Sequence, residues 1–126
     1  MFEQDYIMRQ IHQIIQVLMK LIFKIDSPSP STEYIKDAET RQIADDMLKN
    51  IDIGNIAEAE EMLFSLIQNK TMDNLLAGLV LYSHINEKDD EYLEINHYSR
   101  RDAEKSIKRL LSEYGLEHMA TLFFHD

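Results

Sequence analysis

Acid–base or metal chemistry in this chain would have to draw on five histidines (His12, His84, His97, His118 and His125) and 23 carboxylates, because cysteine is absent. No two histidines stand four residues apart, and the H-E-x-x-H spacing that sets two imidazoles on one helical face does not occur. The histidines are therefore expected at surfaces and edges, with no metal site. Distant histidines and carboxylates could still converge between helices, and the alternative reading is a small-ligand-binding or enzymatic helical protein built on such a pocket. The acidic run Glu87, Asp89, Asp90, Glu91 and Glu94 lacks the alternating ligands and the sixth-position glycine of a calcium loop, and reads as a solvated acidic loop. Asn69-Lys-Thr71 fits a glycosylation sequon but reads more simply as a helix junction. Three isolated glycines cannot build a phosphate-cradling loop or a nucleophile elbow, so no cofactor and no catalytic residue is expected.

Binding chemistry is better represented. Arg101, Lys105, Lys108 and Arg109 fall together on a helical wheel, opposite Ala103, Ile107, Leu110 and Tyr114. They predict an exposed basic stripe, either a docking face for an acidic or phosphate-bearing partner or a solvated face balanced by the acidic loop before it. The formal charge of −10 disfavours bulk attraction to nucleic acid, and no nucleic-acid partner is expected. The second candidate surface lies near the amino terminus. Ile7, Ile11, Ile14, Leu18, Leu21 and Ile25 step by four and three, with Met8, Ile15 and Ile22 as a second column. Phe2, Val17, Met19 and Phe23 fall outside that stripe and would be exposed on an isolated helix. The helix must either lie across the rest of the domain or pair with a second copy, which makes Val17, Met19 and Phe23 candidate partner-binding residues.

The elements that would carry these residues are all helical, since no stretch sustains a period of two. The spacing predicts about five helices in one domain, residues 1–126, with 126 residues matching the usual size of a single core. A long amphipathic helix spans residues 1–25, and the Pro/Ser linker 26–31 follows it. Antiparallel helical hairpins fill 32–126. The second helix is expected from Glu33 to Asn50, capped by Ser31 or Thr32, with Asp37–Arg41 and Asp45–Lys49 at supportive i,i+4 spacing. Asn55 and Glu58 form an asparagine-led capping box for the third helix, which runs to about Gln68. Thr71 caps a fourth over Met72 to Asn86, whose Gly78 predicts close approach of another helix. Ser99 caps the fifth, Gly115 ends it, and a short apolar tail from Leu116 to Phe124 closes the chain. Glu3, Asp5, Gln16, Lys20 and Lys24 interrupt what could otherwise be taken for a secretory signal, and no run of about 20 apolar residues exists to span a membrane. With no cysteine, the expected location is cytoplasmic.

Two resemblances extend this reading. Gly54-Asn-Ile-Ala-Glu-Ala59, followed by Leu63 and Leu66, resembles the second helix of a tetratricopeptide repeat, over roughly residues 40 to 68. Gln4-Asp-Tyr-Ile-Met-Arg9, Ala59-Glu-Glu-Met-Leu-Phe64, Asp89-Asp-Glu-Tyr-Leu-Glu94 and Tyr98-Ser-Arg100 are similar to an uncharacterised family of small all-helical bacterial proteins. That second resemblance implies a cytoplasmic helical protein and brings no activity with it. The expected function is a non-enzymatic, tetratricopeptide-like module for protein–protein interaction. Its partner would be a protein or peptide, or a second copy in a homodimer.

Overall fold

A computed structural model describes residues 2–27 and 29–124, apart from the side chains of Phe2 and Glu3. Among these residues the chain forms seven α-helices and one 3₁₀ turn, with no strand. The helices are α1 (Phe2–Phe23), α2 (Ala38–Asp52), α3 (Ile56–Leu66), α4 (Met72–Asn86), α5 (Asp90–Ile95), α6 (Arg100–Glu113) and α7 (Glu117–Phe123). The expectation of about five helices leaves the two short ones uncounted: α5 falls where the sequence suggests a short helical turn within a loop over Glu87 to Tyr98, and α7 falls in the apolar tail. Phe2, Pro28 and His125, which figure in the sequence reading, lie outside the described side chains.

Local chemistry explains most boundaries. Thr71 Oγ1 accepts the Asn74 N–H at 3.1 Å and starts α4 as expected. Ser99 and Asp102 exchange side-chain-to-backbone bonds at 3.1 and 2.9 Å, a complete capping box for α6. The second helix begins later than the spacing predicts. Ser31 caps only the 3₁₀ turn Thr32–Tyr34, and Asp37 starts α2 by accepting the Thr40 N–H at 2.9 Å. With Asp37 so engaged, Arg41 turns to the Ile35 carbonyl, at 3.0 Å from Nε and 2.7 Å from Nη2. Asn55 holds α3's cap position at φ −95 and ψ 59 and makes no side-chain bond, so the expected capping box is absent there. Gly54 before it has φ +88, and a Cβ on it would lie 2.5 Å from Asn96 Oδ1, so the turn between α2 and α3 needs glycine twice over.

One contiguous set of buried side chains draws on all seven helices. α2 and α3, joined only by Ile53–Asn55, pack on each other, and α4 packs on α1, α2 and α6. Every residue of α4 from Asn74 to Tyr82 is buried. A Cβ on Gly78 would lie 2.7 Å from Leu110 Cδ2, which shows α6 approaching α4 where the glycine predicts it.

α1 is core: it packs on α4, α6 and α7. Its buried arc differs from the expected stripe in one respect. Met19, which the wheel puts outside, is 1% exposed, whereas Leu21, which the stripe puts inside, is 60% exposed. The column Gln10, Ile14, Val17, Leu21 passes from buried through half-buried to exposed along the helix. α1 thus crosses its neighbours obliquely and leaves them on that flank, so the inner face rotates toward Met19 in its last turns.

Candidate partner-binding surfaces

A concavity lies where four helix ends meet. It encloses about 830 Å³ between the end of α1, the first turns of α2 and α4, and the end of α3. Ile22, Phe23, Ile25, Ile43, Leu66 and Leu76 supply its apolar surface. Asp37, Glu39 and Asp73 set three carboxylates around it against the single cation Lys36. Tyr34 and Met72, both exposed, stand at its edge.

A polar brace holds those helix ends in place. Asp73 Oδ2 accepts the Asp37 N–H at 2.8 Å, while Asp37 Oδ2 takes the Thr40 N–H and hydroxyl, each at 2.9 Å. These bonds hold the Asp37 carboxyl below its ordinary range, the Thr40 N–H first among them. Buried Asn74 donates to the carbonyls of Asn69 at 2.7 Å and Leu66 at 3.1 Å, tying the exit of α3 to the start of α4. Tyr114, the residue that caps the end of α6, reaches the Thr71 carbonyl at 2.7 Å, and burial pushes its phenol up to about 12. The groove is therefore preformed, its helix ends already satisfied by their own side chains.

The basic stripe on α6 is less free than its spacing suggests. Glu104 is only 1% exposed. Arg101 Nη1 lies 3.0 Å from its Oε1, and Lys108 Nζ lies 3.0 Å from Oε2 as an ion pair without hydrogen-bond alignment. Lys108 also sits over the Phe124 ring at 5.7 Å, and the Arg109 guanidinium stacks on Phe64 at 4.0 Å. Lys105 is exposed. Three of the four cations thus bind neighbours within the chain, two of them offsetting a buried carboxylate. Of the candidate residues on α1, Met19 is buried in the core, Val17 is half-buried on the uncovered flank, and Phe23 walls the groove.

A second polar centre escapes the sequence reading. Tyr82 and Tyr98 both donate to Glu60 Oε2, at 2.8 and 3.0 Å. Burial first, and the Glu60 charge next, push both phenols well up. Arg100, 2% exposed, pairs with Asp90, donates to the carbonyls of Lys88 and Asn86, and donates its backbone N–H to Gln4 Oε1. Asp89 caps α5 by accepting the Tyr92 N–H at 2.8 Å. The acidic run is exposed as expected, but it forms a helix start and one half of an ion pair in place of a loop. Its signal was a lone arginine ten residues after an aspartate, which periodicity does not read.

His12, His97 and His118 are exposed. His84 Nε2 and Lys88 Nζ share Asp52 Oδ1 at 2.8 and 2.6 Å. Burial pushes the Asp52 carboxyl up, but these two partners outweigh it and hold it below the ordinary value. Among the described residues no histidine lines the large groove or the 220 Å³ cleft beside Gln4, Asp90 and Tyr98. Among the described residues no group of three or more His, Asp or Glu side chains is placed to hold a metal, and no helix is long and apolar enough to cross a membrane.

The chain belongs to a family of unknown function, DUF6483, whose model matches residues 1–115. No curated protein and no solved structure matches it. The four segments quoted for the resemblance fall within the matched range. Four of their residues, Gln4, Asp90, Tyr98 and Arg100, meet in or beside the smaller cleft.

Proposed function

We propose that this protein is a non-enzymatic helical interaction module of the cytoplasm, with a tetratricopeptide-like α2–α3 hairpin, that seats a short segment of a protein partner in the groove at the ends of α1–α4. The observation that carries this reading is the groove itself: a preformed apolar trough with Asp37, Glu39 and Asp73 around it. An apolar side chain leaving water for such a trough gains about 1.5–3 kcal/mol, and the carboxylates select lysine or arginine beside it. An amphipathic helix with a basic flank fits that chemistry. Phe23 then belongs to the binding surface as a wall of the trough. Lys105, with the outer edges of Arg101, Lys108 and Arg109, offers a second face for an acidic partner.

The test uses a labelled amphipathic helical peptide of leucine and lysine, and its leucine–glutamate counterpart, in anisotropy titrations. The lysine peptide binds and the glutamate peptide does not. Glu39→Lys, at an exposed position, weakens binding by about tenfold, as does raising the salt. Equal binding of both peptides, or indifference to Glu39→Lys, overturns the reading.

A further inference from the structure

Val17, Lys20, Leu21 and Lys24 stand at i, i+3, i+4 and i+7, so they share one flank of α1 and of the residue that follows it. That flank is the one α1's neighbours fail to cover. Leu21 is 60% exposed at its centre, and Lys20 and Lys24 are exposed beside it. Lys24 has φ +59, its Nζ donates to the Leu21 carbonyl at 3.2 Å, and the Ile25 N–H returns to the Met19 carbonyl at 3.1 Å. The helix end is therefore a fixed knob, apolar in the middle and basic at its sides. The same helix end walls the acidic groove through Ile22, Phe23 and Ile25. Knob and groove are opposite in charge, both offer apolar surface, and both lie at one end of the molecule.

We propose that the segment the groove receives is this knob on a second copy of the chain, so that two chains pair about a two-fold axis. Each copy then gives Leu21, Lys20 and Lys24 to the other's trough, and Asp37, Glu39 and Asp73 receive the partner's lysines. Such a contact is self-complementary: one surface patch, used twice, covers the exposed leucine and offsets the groove's excess of carboxylates over its one lysine. The proposal rests on the groove reading above and adds the identity of the occupant.

Light scattering on the full chain tests it. Near 100 µM, a range in which a modest interface is populated, the mass is expected at twice 14.9 kDa. Leu21→Glu, at an exposed site where helical circular dichroism should not change, returns it to the monomer mass. Lys20→Glu and Glu39→Lys each weaken pairing by about tenfold. Mixed together, those two variants pair again, because each knob now meets a groove of opposite charge. A monomer at all concentrations, an open-ended series of larger assemblies, or a dimer indifferent to Leu21→Glu overturns self-pairing. If the wild-type chain is monomeric yet binds the lysine peptide, the groove reading stands and only its occupant is wrong; if it does neither, both fail.

Discussion

At the scale of single residues, Glu60, Arg100 and Glu104 are held by partners that limit what each can do. Glu60 accepts hydrogen bonds from two phenols, and the raised affinity of Tyr82 and Tyr98 for their protons has a consequence at high pH. Below the ordinary tyrosine value of 10.0 both folded and unfolded chains hold these protons, and the cluster's contribution is intact. Above it the unfolded chain ionises first, so stability falls as pH rises toward the folded-state values. Thermal midpoints measured from about pH 9 to 12 should therefore drop steeply for the wild-type chain. In the double variant Tyr82→Phe/Tyr98→Phe the drop should be much shallower, with Tyr114, pushed up to about 12 by burial, supplying part of the remainder. An unchanged alkaline slope in the double variant would show that these phenols are not what the fold protects. Nothing in the spacing of Glu60, Tyr82 and Tyr98 announces this cluster. It forms because His97, at φ +58, turns the chain so that Tyr98 folds back toward α3.

At the scale of elements, what could be read in advance was what a single helix decides for itself. Thr71 and Ser99 cap as expected because an N-cap needs only its own next turn, and Gly78 announced a neighbour because a missing side chain in a buried run has few other uses. Gly78→Ala should accordingly destabilise. The gain of about 1 kcal/mol in helix propensity is outweighed by about 1–3 kcal/mol of overpacking against Leu110, read as a lowered urea midpoint. A raised midpoint would mean that Leu110 can swing aside. The stripe on α6 shows the limit of this kind of reading. Its four cations were legible, but a wheel does not reveal that Glu104 between them is buried. Reversing Arg101 and Lys108 to glutamate would strand that carboxylate beside like charges, a cost of about 3–5 kcal/mol, and would unfold much of the protein. Lys105→Glu alone should leave the unfolding free energy from urea titration within about 0.5 kcal/mol of wild type. The single variant is therefore the clean probe of the second docking face, and an equal loss of stability in both variants would contradict the Glu104 clamp.

At the scale of the whole molecule, the groove was illegible because it belongs to no segment. Phe23, Asp37, Leu66 and Asp73 come from four helix ends, and only the packing of α4 against α1 and α2 brings them to one place. The same packing explains the exchange of Met19 and Leu21: periodicity gives the face of a helix but not the point at which its neighbours stop. α1 is thus both core and surface, with Ile7, Ile11, Ile14, Leu18 and Met19 buried and Leu21 of its last turn exposed. The family match over residues 1–115 includes every element that walls the groove. The most direct measurement is amide chemical-shift mapping of the labelled protein as the leucine–lysine peptide is added. The account predicts shifts concentrated in residues 22–25, 34–43 and 66–76, with those along α6 from Arg101 to Arg109 small. Shifts centred on α6, or spread evenly over the acidic surface, would contradict it.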